Sequence, residues 1–179
     1  RIDKTVESVE GASGDTITVT YRVTATNDGT IAGTTGRLVD TPAFAPGLTL
    51  RSAAIATSLE GLGSAREQNR AATYVLTQGT NVEPGKSATW FIRMKVARDP
   101  KAAGYSESAL ECVPSNGRLT PKRGLYNSVA GPYDHDGAAN NEACAPARPR
   151  TIRIEKAGTQ PVGTANEDGT YPLDGAAFA

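Results

Sequence analysis

Thr16-Ile17-Thr18-Val19-Thr20-Tyr21-Arg22-Val23-Thr24-Ala25-Thr26 sets the class of the fold. Side chains alternate across an extended strand, so Ile17, Val19, Tyr21, Val23 and Ala25 share one face. The threonines and Arg22 share the other. One apolar and one wet face over this length is the pattern of a strand in an antiparallel sheet with one buried side. Asn27-Asp28-Gly29 closes the strand with a turn. On its other side, Gly11-Ala12-Ser13-Gly14-Asp15 is a turn signal that ends a first strand over residues 2–9.

Further along, residues 36–41 form a short strand, and the proline of Thr41-Pro42 is expected to end its ladder. Leu48–Ile55 and Ala71–Thr77 are strands, separated by a polar, irregular segment over residues 56–70 with room for a short helix or loop. Ser87–Ala97 alternates again, with Ala88, Trp90, Ile92, Met94 and Val96 on one face, which places Trp90 in the core. Residues 98–123 contain Pro100, Gly104, Pro114, Gly117 and Pro121. They read as an excursion holding one strand near Tyr105–Cys112. Leu125–Ala130 is the next strand. Residues 131–149 lack strand pattern, and Pro146-Ala147-Arg148-Pro149 reads as a semi-rigid linker. Thr151–Lys156 then starts a new strand, but some thirty residues are too few for a separate β core. The expected organisation is a domain over residues 1–148, then a linker and partial β domain over 149–179. About eight strands with turns between them and no helical crossovers predict an all-β, two-sheet sandwich, with a closed barrel as the alternative.

The chain has 179 residues, 38% hydrophobic and 21% charged, with 19 basic and 19 acidic side chains. That balance gives no electrostatic reason for nucleic acid or an anionic membrane as partner. No apolar stretch is long enough to span a bilayer, so no membrane insertion is expected. No signal peptide stands at Arg1, which suggests a mature fragment or a chain that was never exported. Cys112 and Cys144 are the two cysteines, without metal-ligand spacing around them. One internal disulfide is the expectation, with free buried thiols as the alternative, and a disulfide favours an extracellular location.

Three polar side chains break the strand pattern. Lys4 shares a face with Ile2 and Val6. Asp40 shares a face with Leu38. Asn127 shares a face with Leu125 and Val129. Each has an ordinary explanation: Lys4 snorkels past an edge strand, Asp40 caps a turn, Asn127 satisfies backbone at a bulge. Three coincident parities favour another reading, in which the residues meet in the core. Burial disfavours the charged forms of an amine and a carboxyl alike. A neutral Lys4 amine is a nucleophile, and a protonated Asp40 would polarise the Asn127 carbonyl and shuttle a proton to the leaving ammonia. The product is an amide bond from Lys4 to Asn127, joining the first strand to the last.

The sequence offers little other chemistry. His135 is the single histidine, in a polar loop, and no nucleophile elbow, phosphate loop or metal-binding pair is present, so the protein is not expected to be an enzyme. Asp134 and Asp136, with Asn140, Asn141 and Glu142, are weak calcium ligand candidates. Their spacing departs from an EF-hand loop, and a solvated acidic loop is the expectation, with no cofactor.

The residues above also carry a resemblance. Lys4-Thr5-Val6, Gly14-Asp15-Thr16-Ile17-Thr18-Val19-Thr20-Tyr21, Ala25-Thr26-Asn27-Asp28-Gly29, Val39-Asp40-Thr41-Pro42, Pro46-Gly47-Leu48-Thr49, Glu83-Pro84-Gly85-Lys86-Ser87 and Tyr126-Asn127-Ser128-Val129 occur in order. The series resembles the conserved-repeat, immunoglobulin-like domains of Gram-positive surface adhesins and pilins over residues 1–131. The resemblance implies an immunoglobulin-like β-sandwich with long loop insertions. It also implies an isopeptide bond between Lys4 and Asn127, assisted by Asp40. Ile152-Arg153-Ile154-Glu155-Lys156 and Pro172-Leu173-Asp174-Gly175-Ala176-Ala177-Phe178 resemble the opening of a collagen-adhesin B-type domain, as in SpaA-like pilins. There Lys156 would be the lysine of a second isopeptide bond. No LPxTG-like sorting signal is seen, and Thr120-Pro121-Lys122 only faintly echoes a pilin motif. The implied role is a stalk domain of a cell-wall-attached surface protein, with neighbouring domains of that protein as partners. The alternative is an adhesin head that binds a host protein or glycan, with or without calcium, through loops 56–70, 98–123 and 131–145.

Overall fold

The structure is a computed structural model that describes residues 1–11 and 15–148. The strands are β1 (Ile2–Glu10), β2 (Thr16–Thr26), β3 (Gly33–Thr34), β4 (Leu38–Pro42), β5 (Leu48–Ala56), β6 (Gln68–Asn69) and β7 (Tyr74–Thr77). After them come β8 (Asn81–Val82), β9 (Ser87–Arg98), β10 (Pro114–Ser115), β11 (Arg118–Leu119), β12 (Asn127–Ala130) and β13 (Glu142–Ala143). One sheet has the order β1-β2-β9-β5-β6 and the other β13-β12-β4-β7. Every pairing is antiparallel. Two small ribbons, β3–β8 and β10–β11, lie outside them. The inner faces share one core, so the domain is a β-sandwich.

The alternating face of β2 becomes the floor of that core: Ile17, Val19, Tyr21 and Val23 are fully buried. On β9, Ile92, Met94 and Val96 are fully buried and Trp90 nearly so. From the opposite sheet come Leu38, Tyr74, Leu76 and Val129, with Leu125 just before β12. Burying each large apolar side chain stabilises the fold by about 1.5–3 kcal/mol. Register places Lys4 opposite Val23 and Val6 opposite Tyr21, with a bulge between Val6 and Ser8. Residue parity in β1 therefore holds from Ile2 to Val6, the stretch that matters for Lys4.

Three local expectations change, while Pro42 is the last residue of β4, as expected. It pairs with Asn127, and the next residue, Ala43, donates its N–H to the Tyr126 carbonyl at 3.0 Å. The proline thus occupies a position where the ladder asks for no donor. Tyr105–Cys112 holds no strand; Glu107–Leu110 is a 3-10 turn capped by the Ser106 hydroxyl, which accepts from the Ala109 N–H. Residues 131–149 do contain a strand: β13 pairs with β12 and makes Asn127's strand an interior one rather than the last. Two paired residues carry too little alternation to be read as a strand. The Pro146–Arg148 segment is packed rather than linking: Ala147 is fully buried, its N–H donates to Leu110 O and its carbonyl accepts from Arg98. The expected strand from Thr151, and Lys156 with it, lie outside the described residues.

Cys112 and Cys144 form the expected disulfide, with Cα atoms 5.9 Å apart. It ties the 98–123 excursion to the segment just after β13. Gly124 makes room for it. A Cβ there would sit 2.6 Å from the Ala145 carbonyl oxygen and 2.9 Å from Cys112 Sγ, at a φ of 42°.

Candidate crosslinking site in the core

The three polar residues singled out by strand parity all point into the sandwich. Lys4 is 4% exposed, and Asp40 and Asn127 are fully buried. Snorkelling and turn capping are therefore both excluded. Lys4 comes from the edge strand β1 of one sheet and Asp40 from β4 of the other. Lys4 Nζ donates a hydrogen bond to Asp40 Oδ2, and neither side chain touches solvent.

Asn127 lies in β12, between β13 and β4. Its neighbour two residues on, Val129, stands directly opposite Asp40. Asn127 and Asp40 are thus diagonal neighbours on one inner face. β1 packs against β13, the strand that flanks β12 in the opposite sheet. The Asn127 amide is directed into the core, with Nδ2 3.8 Å from Met94 Sδ. Asn127 Oδ1 and Asp40 Oδ1 are buried without a hydrogen-bond partner among the described residues.

Electrostatics push the amine toward its neutral form. Burial lowers the Lys4 pKa from its ordinary value, and the attraction of Asp40 only partly offsets this. Lys4 Nζ also sits 4.9 Å from the centroid of the Tyr21 ring. Burial, and secondarily the Asp40 charge, raise the Tyr21 pKa well above that of a free phenol, so its hydroxyl keeps its proton. That hydroxyl donates to the Leu125 carbonyl at 2.6 Å, across the two sheets. Strand alternation places Tyr21 in the core but assigns its hydroxyl no partner. Nothing local signals a partner 104 residues away.

As a stabilising device this cluster is poor. A buried ion pair often contributes less than apolar residues of the same volume. Each buried polar atom left without a partner costs about 1–3 kcal/mol. An amine, a carboxyl and an amide lie in this dry part of the core, and such groups are what an acyl transfer needs.

The loop carboxylates have a different arrangement. Asp134 Oδ1 accepts from the Ile2 N–H at 2.9 Å and Oδ2 from Asn141 Nδ2 at 2.6 Å. Asn140 Nδ2 donates to Asp136 Oδ2 and to Asp3 Oδ1. The loop thereby latches onto the start of β1. Among the described residues, no group of three or more His, Cys, Asp or Glu side chains is placed to hold a metal ion. His135 is exposed and lies 3.3 Å from Asp28.

No family model matches the chain. No curated protein matches it. Among solved structures, the chain is similar to a CBM3a-L domain with flanking linkers from scaffoldin CipA of the cellulosome of Clostridium thermocellum. The identity is 14%, over 78% of this chain and 93% of that one, with a TM-score of 0.29. A likeness at that score bears on neither fold detail nor function.

Proposed function

We propose that this domain is a load-bearing unit of a cell-surface adhesin or pilin, closed by an intramolecular amide bond from Lys4 Nζ to Asn127 Cγ. The observation that carries the reading is the solvent-free Lys4–Asp40 pair beside an inward Asn127 whose carbonyl oxygen has no partner. Within the pair, Lys4 passes a proton to Asp40 and becomes a neutral amine. Its lone pair attacks Asn127 Cγ while the Asp40 carboxyl donates to Oδ1. As the tetrahedral centre collapses, Asp40 relays the surplus Nζ proton to Nδ2 and takes back the Oδ1 proton as the carbonyl re-forms. The Cγ–Nδ2 bond breaks and one ammonia leaves. No oxidant, cofactor or second substrate is consumed. The reaction is a single self-modification, so the protein is not an enzyme in the turnover sense.

Such a bond joins an edge strand of one sheet to an interior strand of the other. It supports an extracellular, cell-wall-attached role in which the neighbouring domains of the same protein transmit force. The disulfide is consistent with that location. The test is the intact mass of the reduced, denatured chain beside Lys4→Ala and Asp40→Ala. The expected result is a deficit of one ammonia in the parent and in neither variant, with a peptide map joining Lys4 to Asn127. Full theoretical mass in the parent overturns the reading.

A further inference from the structure

We infer that Tyr21 is a positioning residue for the Lys4–Asn127 coupling, holding the asparagine strand at the height at which the amine meets its carbonyl. The inference rests on the crosslinking reading above and adds a part that strand parity did not reveal.

Tyr21 stands where the two reacting strands have to be aligned. In β2 it lies between Val23, the partner of Lys4, and Val19, the partner of Met94. Lys4 Nζ borders its ring, and Met94 Sδ borders the Asn127 amide. Its hydroxyl donates to the carbonyl of Leu125, two residues before Asn127. One side chain therefore contacts the nucleophile with its face and tethers the electrophile's strand with its tip. The bond runs from one sheet to the other, so it sets their separation and slide at this point. A fully buried side chain has little freedom to relax away from that geometry. Its hydroxyl is a poor candidate for carrying protons, because burial holds the phenol in its protonated form. It acts on the reaction through Leu125 and the Asn127 backbone.

Tyr21→Phe keeps the ring and removes the tether. The full chain is synthesised by cell-free translation, quenched in acid at successive times, reduced and weighed. Tyr21→Phe is expected to lose ammonia at least about tenfold more slowly than the parent, because small displacements of reacting groups carry large rate penalties. The ratio of the two rates is expected to be constant across the pH range in which the parent folds. Thermal melting of Lys4→Ala with and without Tyr21→Phe separates positioning from folding, since neither chain can crosslink. Both are expected to be native at the assay temperature.

Equal rates for parent and Tyr21→Phe overturn the inference and leave the crosslink standing. A slow Tyr21→Phe whose Lys4→Ala counterpart is unfolded at the assay temperature overturns it in favour of a purely structural role. A rate ratio that changes with pH overturns it in favour of proton transfer by Tyr21. A parent chain at full theoretical mass removes the crosslinking reading itself, and this inference with it.

Discussion

Lys4 holds an unusual balance for a paired lysine. An ion-pair partner ordinarily raises a lysine pKa, yet here burial outweighs Asp40 and lowers it. The consequence for stability has a definite sign. Between the lowered folded value and the ordinary value of 10.5, the unfolded chain binds more protons at Lys4 than the folded one. Stability therefore rises with pH through that window. Tyr126 acts in the opposite sense at higher pH. Burial, then its hydrogen bond to Glu142, pushes its pKa up to about 12, so its contribution is lost as pH climbs above 10. Asn127→Ala leaves the amine free and makes the Lys4 effect measurable. Its urea midpoint is expected to rise with pH below 10 more steeply than that of Asn127→Ala with Lys4→Met. Parallel curves would show that Lys4 is charged in the folded core.

At the level of elements, β12 depends on what flanks it. β4 holds it on one side, with Pro42 accommodated opposite Asn127. On the other side β13 contributes only two paired residues. β13 is reinforced by Glu142, whose buried carboxylate accepts from Tyr126 Oη at 2.7 Å and from the Leu119 N–H at 2.9 Å. It is reinforced again by the disulfide just beyond it. The covalent loop spans a sequence separation of 32 residues, for which chain-entropy reasoning predicts a contribution of roughly 3–4 kcal/mol. Cys112→Ser with Cys144→Ser is expected to lose about that much in denaturant titrations done in the Asn127→Ala background. A loss below about 1 kcal/mol would mean that the excursion is held by packing alone.

For the whole molecule, the proposed amide and the disulfide together determine how force passes through the domain. A pull between Arg1 and Arg148 meets the amide at Lys4 and leaves the chain again at Asn127. Residues 5–111 are then spared extension, because the disulfide keeps 112–126 in the path between Asn127 and Cys144. Single-molecule stretching of the parent is expected to show no unfolding step that releases this segment. Lys4→Ala is expected to show one, and a reducing agent to lengthen it by the residues between Cys112 and Cys144. A parent that extends as far as Lys4→Ala would remove the load-bearing role, because the enclosed segment lengthens only where the bond is absent.

Much of this was legible along the chain, because β structure writes itself locally. Alternation in Thr16–Thr26 and Ser87–Ala97 specified long half-buried strands, since period two is a property of one strand alone. The same parity marked Lys4, Asp40 and Asn127 as inward, and two cysteines allowed one bridge. Short elements leave no such mark: β13 has two paired residues, too few for a period, and the single 3-10 turn Glu107–Leu110 is too short to show a helical one. What only the tertiary structure decided is which inward groups meet. Lys4 reaches Asp40 across the gap between sheets, and the Tyr21 hydroxyl reaches Leu125. Those contacts depend on sheet order and on the slide of one sheet over the other. Both are set by packing between residues far apart in sequence, which no local pattern encodes.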